Sequence, residues 1–144
     1  MKTAFYVATL LIFLTAIASC TTRGDSGMTA VEVAERAFDE HRYAKAQNIA
    51  DSIMLGSTFS RLNATELCRL SLLFTRLSEK STNAEANTAM ATRALEAAFR
   101  LDSDSTTLYI HTVPLDDRAQ MAIINALTKS HDEGDSIILE SDSI

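Results

Sequence analysis

Residues 31–55 carry two helical periods with only His41 and Arg42 between them, and this leaves the chain few ways to fold. Ala30, Val33, Ala34, Ala37, Phe38 and His41 recur at the spacing of one helix face, with Glu35, Arg36, Asp39 and Glu40 on the other side. Thr29 and Glu32 are spaced as a capping box at its start. Tyr43, Ala46, Ile49, Ala50 and Ile53 form the second stripe, and Gly56 is placed as its stop. So short a turn permits only an antiparallel pair. Such a pair cannot bury its apolar stripes alone, so later helices must complete it.

The rest of the chain supplies them. One Pro and four Gly leave long uninterrupted stretches, which favours helices over a turn-rich β fold. Asn63 and Glu66 form a second capping box, followed by Leu67, Leu70, Ser71, Phe74, Leu77 and Ser78 on one stripe. Leu73 widens that stripe and Leu72 lies opposite it, so this helix is expected to be sandwiched between neighbours. Residues 84–101 hold seven alanines, with Met90, Ala91, Ala94, Ala98 and Leu101 on one face. Alanine favours the helix and lets helix axes approach closely. Residues 102–107 read as a polar loop, with room for one helical turn. Residues 108–113 fit either a short strand or a helical turn. After Pro114, Asp116 or Asp117 can cap a fifth helix with Ala119, Ile123, Ala126 and Leu127 on one face. That helix is expected to cover the open end of the stack. Residues 131–144 contain five acidic residues and no Lys or Arg, and are predicted to form a disordered tail.

The N-terminal segment has a different character. Lys2 is followed by an apolar run over residues 4–18, then Ala18, Ser19 and Cys20. This is the layout of a signal peptide, and the run is short for a membrane span. Ile17-Ala18-Ser19-Cys20 resembles the bacterial lipobox. The resemblance implies lipid (palmitate and related chains) on Cys20 and cleavage before it, with residues 1–19 as leader and residues 20–28 as tether. Thr21 after the cysteine implies sorting to the outer membrane, facing the periplasm, by analogy with known lipoproteins. The tether contains Arg23-Gly24-Asp25, a tripeptide short enough to arise by chance in a solvated linker.

Residues 29–130 resemble tetratricopeptide repeats. Ala34, Ala37, Tyr43, Ala46 and Ile53 fall where that family places its small, aromatic and apolar signature residues, and Ala91, Leu95 and Ala98 repeat the pattern of its second helix. His41 stands where a small turn residue is usual. Ala46 and Ala91 are 45 positions apart, longer than the family period of about 34. The resemblance implies an all-α fold of antiparallel hairpins stacked as a short array of about five helices. It also implies a protein-binding face built from the first helix of each pair, where Glu35, Arg36, Arg69 and Arg76 are the candidate contacts.

No residue pattern points to catalysis. His41, His111 and His131 are too scattered for a metal site. Cys68 is expected to be a small buried hydrophobe. No nucleophile elbow, phosphate loop or dinucleotide fingerprint occurs. A net charge of −6 without a basic cluster argues against nucleic acid. Asp-Ser-Ile occurs at 51–53, 135–137 and 142–144 and resembles an O-glycan acceptor, with chance recurrence the simpler account. The expectation is a non-enzymatic envelope lipoprotein without cofactor, metal or small-molecule substrate. Its partners would be a membrane, through Cys20, and an envelope protein or peptide. The alternative is a structural accessory subunit of an outer-membrane machine.

Overall fold

A computed structural model describes residues 27–138, with side chains described as far as Lys129. The leader, Cys20, Arg23-Gly24-Asp25 and residues 139–144 lie outside the described residues. The described chain is all-helical: α1 (Ala30–Asp39), α2 (Tyr43–Leu55), a 3-10 turn (Phe59–Arg61), α3 (Ala64–Ser78), α4 (Ala84–Leu101), α5 (Ser103–Thr112) and α6 (Leu115–Ile138).

The starts of α1 and α3 have a local cause. Both capping boxes form: Thr29 with Glu32 for α1 and Asn63 with Glu66 for α3. The end of α1 is closed by a Schellman pattern. The His41 N–H donates to the Phe38 carbonyl at 2.9 Å and the Arg42 N–H to the Ala37 carbonyl at 2.8 Å. His41 therefore sits at φ 59°, a left-handed conformation usually given to glycine. Its Nδ1 lies 3.0 Å from the Tyr43 hydroxyl, and Tyr43 packs its ring on Phe38. Gly56 does end α2, but in extended backbone rather than as a left-handed stop. Glycine fits there because a Cβ would stand 2.7 Å from the Ser52 carbonyl oxygen.

The helices surround α3, which contacts every other helix. Leu67, Cys68, Leu70, Leu72, Leu73, Phe74 and Leu77 are all buried, so α3 is apolar on several sides, as the opposed leucines predict. Alanines line the seams around it: Ala34, Ala37, Ala46, Ala50, Ala91, Ala94 and Ala98 are buried. Small side chains let the axes close up, and the Ser71 hydroxyl reaches across to the Ala91 carbonyl at 2.8 Å. One shallow depression is lined by Thr29, Asn63, Leu101 and Ser105 together. The starts of α1, α3 and α5 and the end of α4 thus share one end of the molecule, as up-and-down hairpins require.

The sequence expectations are resolved or corrected in α5 and α6. Residues 108–113 are not a strand. They belong to α5 through Thr112, because Asp102 accepts from the Ser105 N–H at 2.9 Å and starts a helix where a loop was expected. The described residues form six packed helices, in keeping with the expected all-α stack of about five. The buried face of α6 is also not Ala119, Ile123, Ala126 and Leu127, all of which are exposed, Ile123 by 63%. Met121, Ile124 and Thr128 are buried instead. They lie nearly opposite on the helix, in line with Asp117, which reaches a charged partner on α3. Helix α6 also continues through residues 131–138, where a disordered tail is predicted. Extending an anchored helix needs no new nucleus, so a polar sequence can continue one that packing has already started.

The two turns make opposite demands on glycine, so the substitutions His41→Gly and Gly56→Ala should move stability in opposite directions. In urea denaturation His41→Gly should raise the unfolding free energy by up to about 1 kcal/mol, while Gly56→Ala should lower it by about 1–3 kcal/mol.

Candidate functional site

The four candidate contact residues lie on two polar seams. From α3, Arg69 donates through Nε to Glu35 on α1 at 3.1 Å and pairs through Nη2 with the second Glu35 oxygen. Its Nη1 also reaches Glu32 at 3.3 Å. The charged form of Arg69 is favoured first by Glu35 and then by Glu32. Arg36 lies beside this group, in a depression it shares with Met28 and Asp39. Arg76, two turns along α3, donates to both carboxylate oxygens of Asp117 on α6, at 2.8 and 2.9 Å. Next to it the Gln120 amide donates to Glu79 at 2.9 Å.

Between these seams lies α5. Burial pushes the Tyr109 phenol up to about 12, and the charge of Glu35 adds to the shift while Arg69 and Arg76 oppose it. Tyr109 is thus near charges of both seams. On its buried side Thr106 faces Cys68. The face of α3 that could have lined an open groove is therefore covered by α5, and Arg69 and Arg76 serve as struts between helices. The two-nitrogen Arg69–Glu35 pair holds direction as well as distance and sets how α1 sits on α3, while Arg76 ties α6 to α3 through Nη2 alone.

Two polar devices escape the sequence. Gln47 on α2 and the buried Asn87 on α4 exchange reciprocal amide hydrogen bonds of 2.9 and 3.0 Å. At the end of α5, the Arg118 guanidinium donates to the His111 carbonyl at 2.6 Å and the Val113 carbonyl at 3.3 Å. The only signal for Asn87 is a polar residue one turn before the apolar face of an alanine-rich helix. Arg118 carries none, because its partners are backbone atoms.

A separate cleft opens where α4, α5 and α6 meet, with a volume of about 480 Å³. Half-buried Phe99 and Ile110 form its apolar floor. Arg100 and Lys129 stand at its rim, with Thr107 and Asn125 between. The Arg100 side chain is 78% exposed, with Glu96 as far as 3.9 Å away. The Thr107 hydroxyl and the Asn125 amide make no hydrogen bond to another described residue. His111 also lines the cleft, and His41 does not. This is a pocket with an apolar base and a few polar groups that the fold has not consumed.

Cys68 is fully buried and its thiol is pushed up to about 11 by burial, partly offset by Thr106, so almost none of it is thiolate near neutral pH. No group of His, Cys, Asp and Glu able to hold a metal occurs among the described residues. None of the described helices is long and apolar enough to cross a membrane. Compared with protein-family models, curated proteins and solved structures, the chain matches none.

Two measurements follow from these environments. Cys68 should resist a thiol-specific reagent in the folded domain and react at once in denaturant; fast labelling of the native protein would contradict its burial. The second concerns acid. The Thr29 backbone N–H, and then Arg69, hold the Glu32 carboxyl below its ordinary range, and the Ser105 hydroxyl does so for Asp102. Both groups bind protons less readily folded than unfolded. Their contribution is therefore complete above the unfolded carboxylate range and is lost as pH falls through the folded values. The melting temperature should hold down to about pH 5 and then fall, and a Glu32→Gln/Asp102→Asn variant should show a shallower acid limb.

Proposed function

We propose that the chain is a bacterial envelope lipoprotein whose helical domain is a non-catalytic protein-interaction module. The single observation that carries this reading is Ile17-Ala18-Ser19-Cys20 after a short apolar run that starts with Lys2. Cys20 would carry a diacylglycerol and, after cleavage, an acylated amino terminus. A single chain anchors only marginally, whereas two or three hold a protein on a bilayer. The outer membrane, facing the periplasm, is the proposed address, by analogy from Thr21.

The helical domain supports the second half of the reading. Helices α1 and α2 pack as one antiparallel pair and α3 and α4 as a second, and α5 and α6 then pack onto α3 and α4. The tetratricopeptide-like assignment stands on Ala34, Ala37, Tyr43, Ala46 and Ile53 in the first pair and on Ala91, Leu95 and Ala98 in the second. Of these, all but Tyr43 are buried at the seams. Partners would be an envelope protein or peptide, with no cofactor, nucleic acid or small-molecule substrate.

A second reading has its own support. The outer face of α6 exposes Leu115 by 76% and Ile123 by 63%, with Ala119 between them and Ala126 beyond. Terminal helices of arrays usually turn a polar face outward. An apolar one suits a structural subunit seated against another envelope protein. A lipid-free domain that stays monomeric at high concentration would favour the interaction module, and one that aggregates without its partner would favour the subunit.

The address is tested at one atom. Wild-type protein grown with an alkynyl fatty acid should take up the label, fractionate with membranes and give a mature terminus beginning at acylated Cys20. The Cys20→Ser variant should lose label and processing together. A variant that is processed and membrane-held like the wild type would overturn the reading.

A further inference from the structure

We propose that the cleft between α4, α5 and α6 binds an extended acidic peptide segment through one aliphatic side chain and at least one carboxylate. The proposal rests on the interaction-module reading and adds the chemistry of the partner. It is drawn from which groups the fold leaves unused.

Along the two seams beside α3 the charges are already paired, Arg69 with Glu32 and Glu35, and Arg76 with Asp117. A partner there would have to break interactions the domain makes with itself. The cleft differs in each respect. Among the described side chains that line it, Arg100 and Lys129 stand against one carboxylate, Glu96, and the Glu96–Arg100 separation of 3.9 Å is a loose pairing on a side chain that is 78% exposed. In a chain of net charge −6, a cationic rim around an apolar floor is a local reversal, so complementarity selects an anionic partner there. Thr107 and Asn125 supply a hydroxyl and an amide without partners among the described residues. An amide can both donate and accept, which is what the backbone of an extended peptide requires. Phe99 and Ile110 offer a floor for an aliphatic side chain, and about 480 Å³ holds a few residues, not a whole helix. The exposed stripe of α6, with Ile123 and Ala126, lacks these polar groups and is not the proposed site.

Fluorescence polarisation with the full chain in mild detergent tests this, using a fluorescein-labelled hexapeptide that alternates glutamate and leucine. Two control peptides replace glutamate by lysine or leucine by serine. The Glu–Leu peptide should bind at least about tenfold tighter than either control, and affinity should fall as salt is raised. An Arg100→Glu/Lys129→Glu double variant should weaken binding by about tenfold or more with unchanged circular dichroism, and Asn125→Ala should weaken it by a smaller factor. Equal binding of the Glu–Leu and Lys–Leu peptides, or unchanged affinity in the double variant, would overturn the proposal. Binding that appears only after residues 139–144 are removed would make the chain's own segment the occupant and overturn the assignment of a separate partner. Crosslinking in cells separates this from the broader reading. A partner captured equally by wild type and by the double variant would leave the interaction module standing and remove the cleft. Peptide binding in the cleft with no captured partner would do the reverse.

Discussion

Burial of α3 on every side is the constraint from which the other features follow. A helix with Leu72 opposite Leu70 and Phe74 has no face to give to water, and five neighbours cover it. Each large side chain removed from water contributes about 1.5–3 kcal/mol, so the leucines and Phe74 of α3 supply much of the driving force. The neighbours can crowd in only because their contact residues are small. Ala91, Ala94 and Ala98 of α4 are fully buried, so its backbone comes close enough for the Ser71 hydroxyl to reach the Ala91 carbonyl. Larger residues there would force the axes apart and open voids around Phe74.

Apolar burial of this kind does not by itself fix register, because alanine seams are nearly featureless. Polar contacts supply the direction. Arg69 ties α1 to α3, Arg76 ties α6 to α3, and the Gln47–Asn87 amide pair ties α2 to α4. Each is half-buried or better on at least one partner, and each would leave a polar group without its partner if the helices slid by one turn. The stack therefore combines a permissive apolar fit with three specific latches.

This division explains what was legible in the sequence. Helices α1 to α4 could be read because their signals are local: two capping boxes, stripes at helical spacing, and alanines where axes meet. The opposed leucines announced that α3 is enclosed. The start of α5 was hidden because Asp102 and Ser105 look like loop residues until one caps the other's N–H. The face of α6 was misread for a different reason. Its sequence carries two apolar stripes on opposite sides, and the stronger one, with Ile123 and Leu127, is the one left outside. The choice is made by Asp117 meeting Arg76 and Gln120 meeting Glu79, which are contacts across 41 residues of chain. No periodicity encodes such partners. The cleft was invisible for the same reason, since Phe99, Ile110 and Asn125 come from three helices whose packing order had first to be known.

The same contacts shift where recognition can occur. An array with a bare inner face could use Arg69 and Arg76 to grip a partner. Here α5 lies over that face, and both arginines are engaged in holding the stack together. Charges used as latches are poor contacts, because a ligand must first compensate for what it breaks. Groups that the fold leaves unpaired carry no such penalty. At the junction of α4, α5 and α6 the Thr107 hydroxyl and the Asn125 amide are of this kind among the described residues, and they line an apolar floor together with Lys129 and the loosely paired Arg100. Covering the inner groove with α5 both completes the core and leaves, where α4, α5 and α6 meet, a junction at which polar groups of different kinds border an apolar floor.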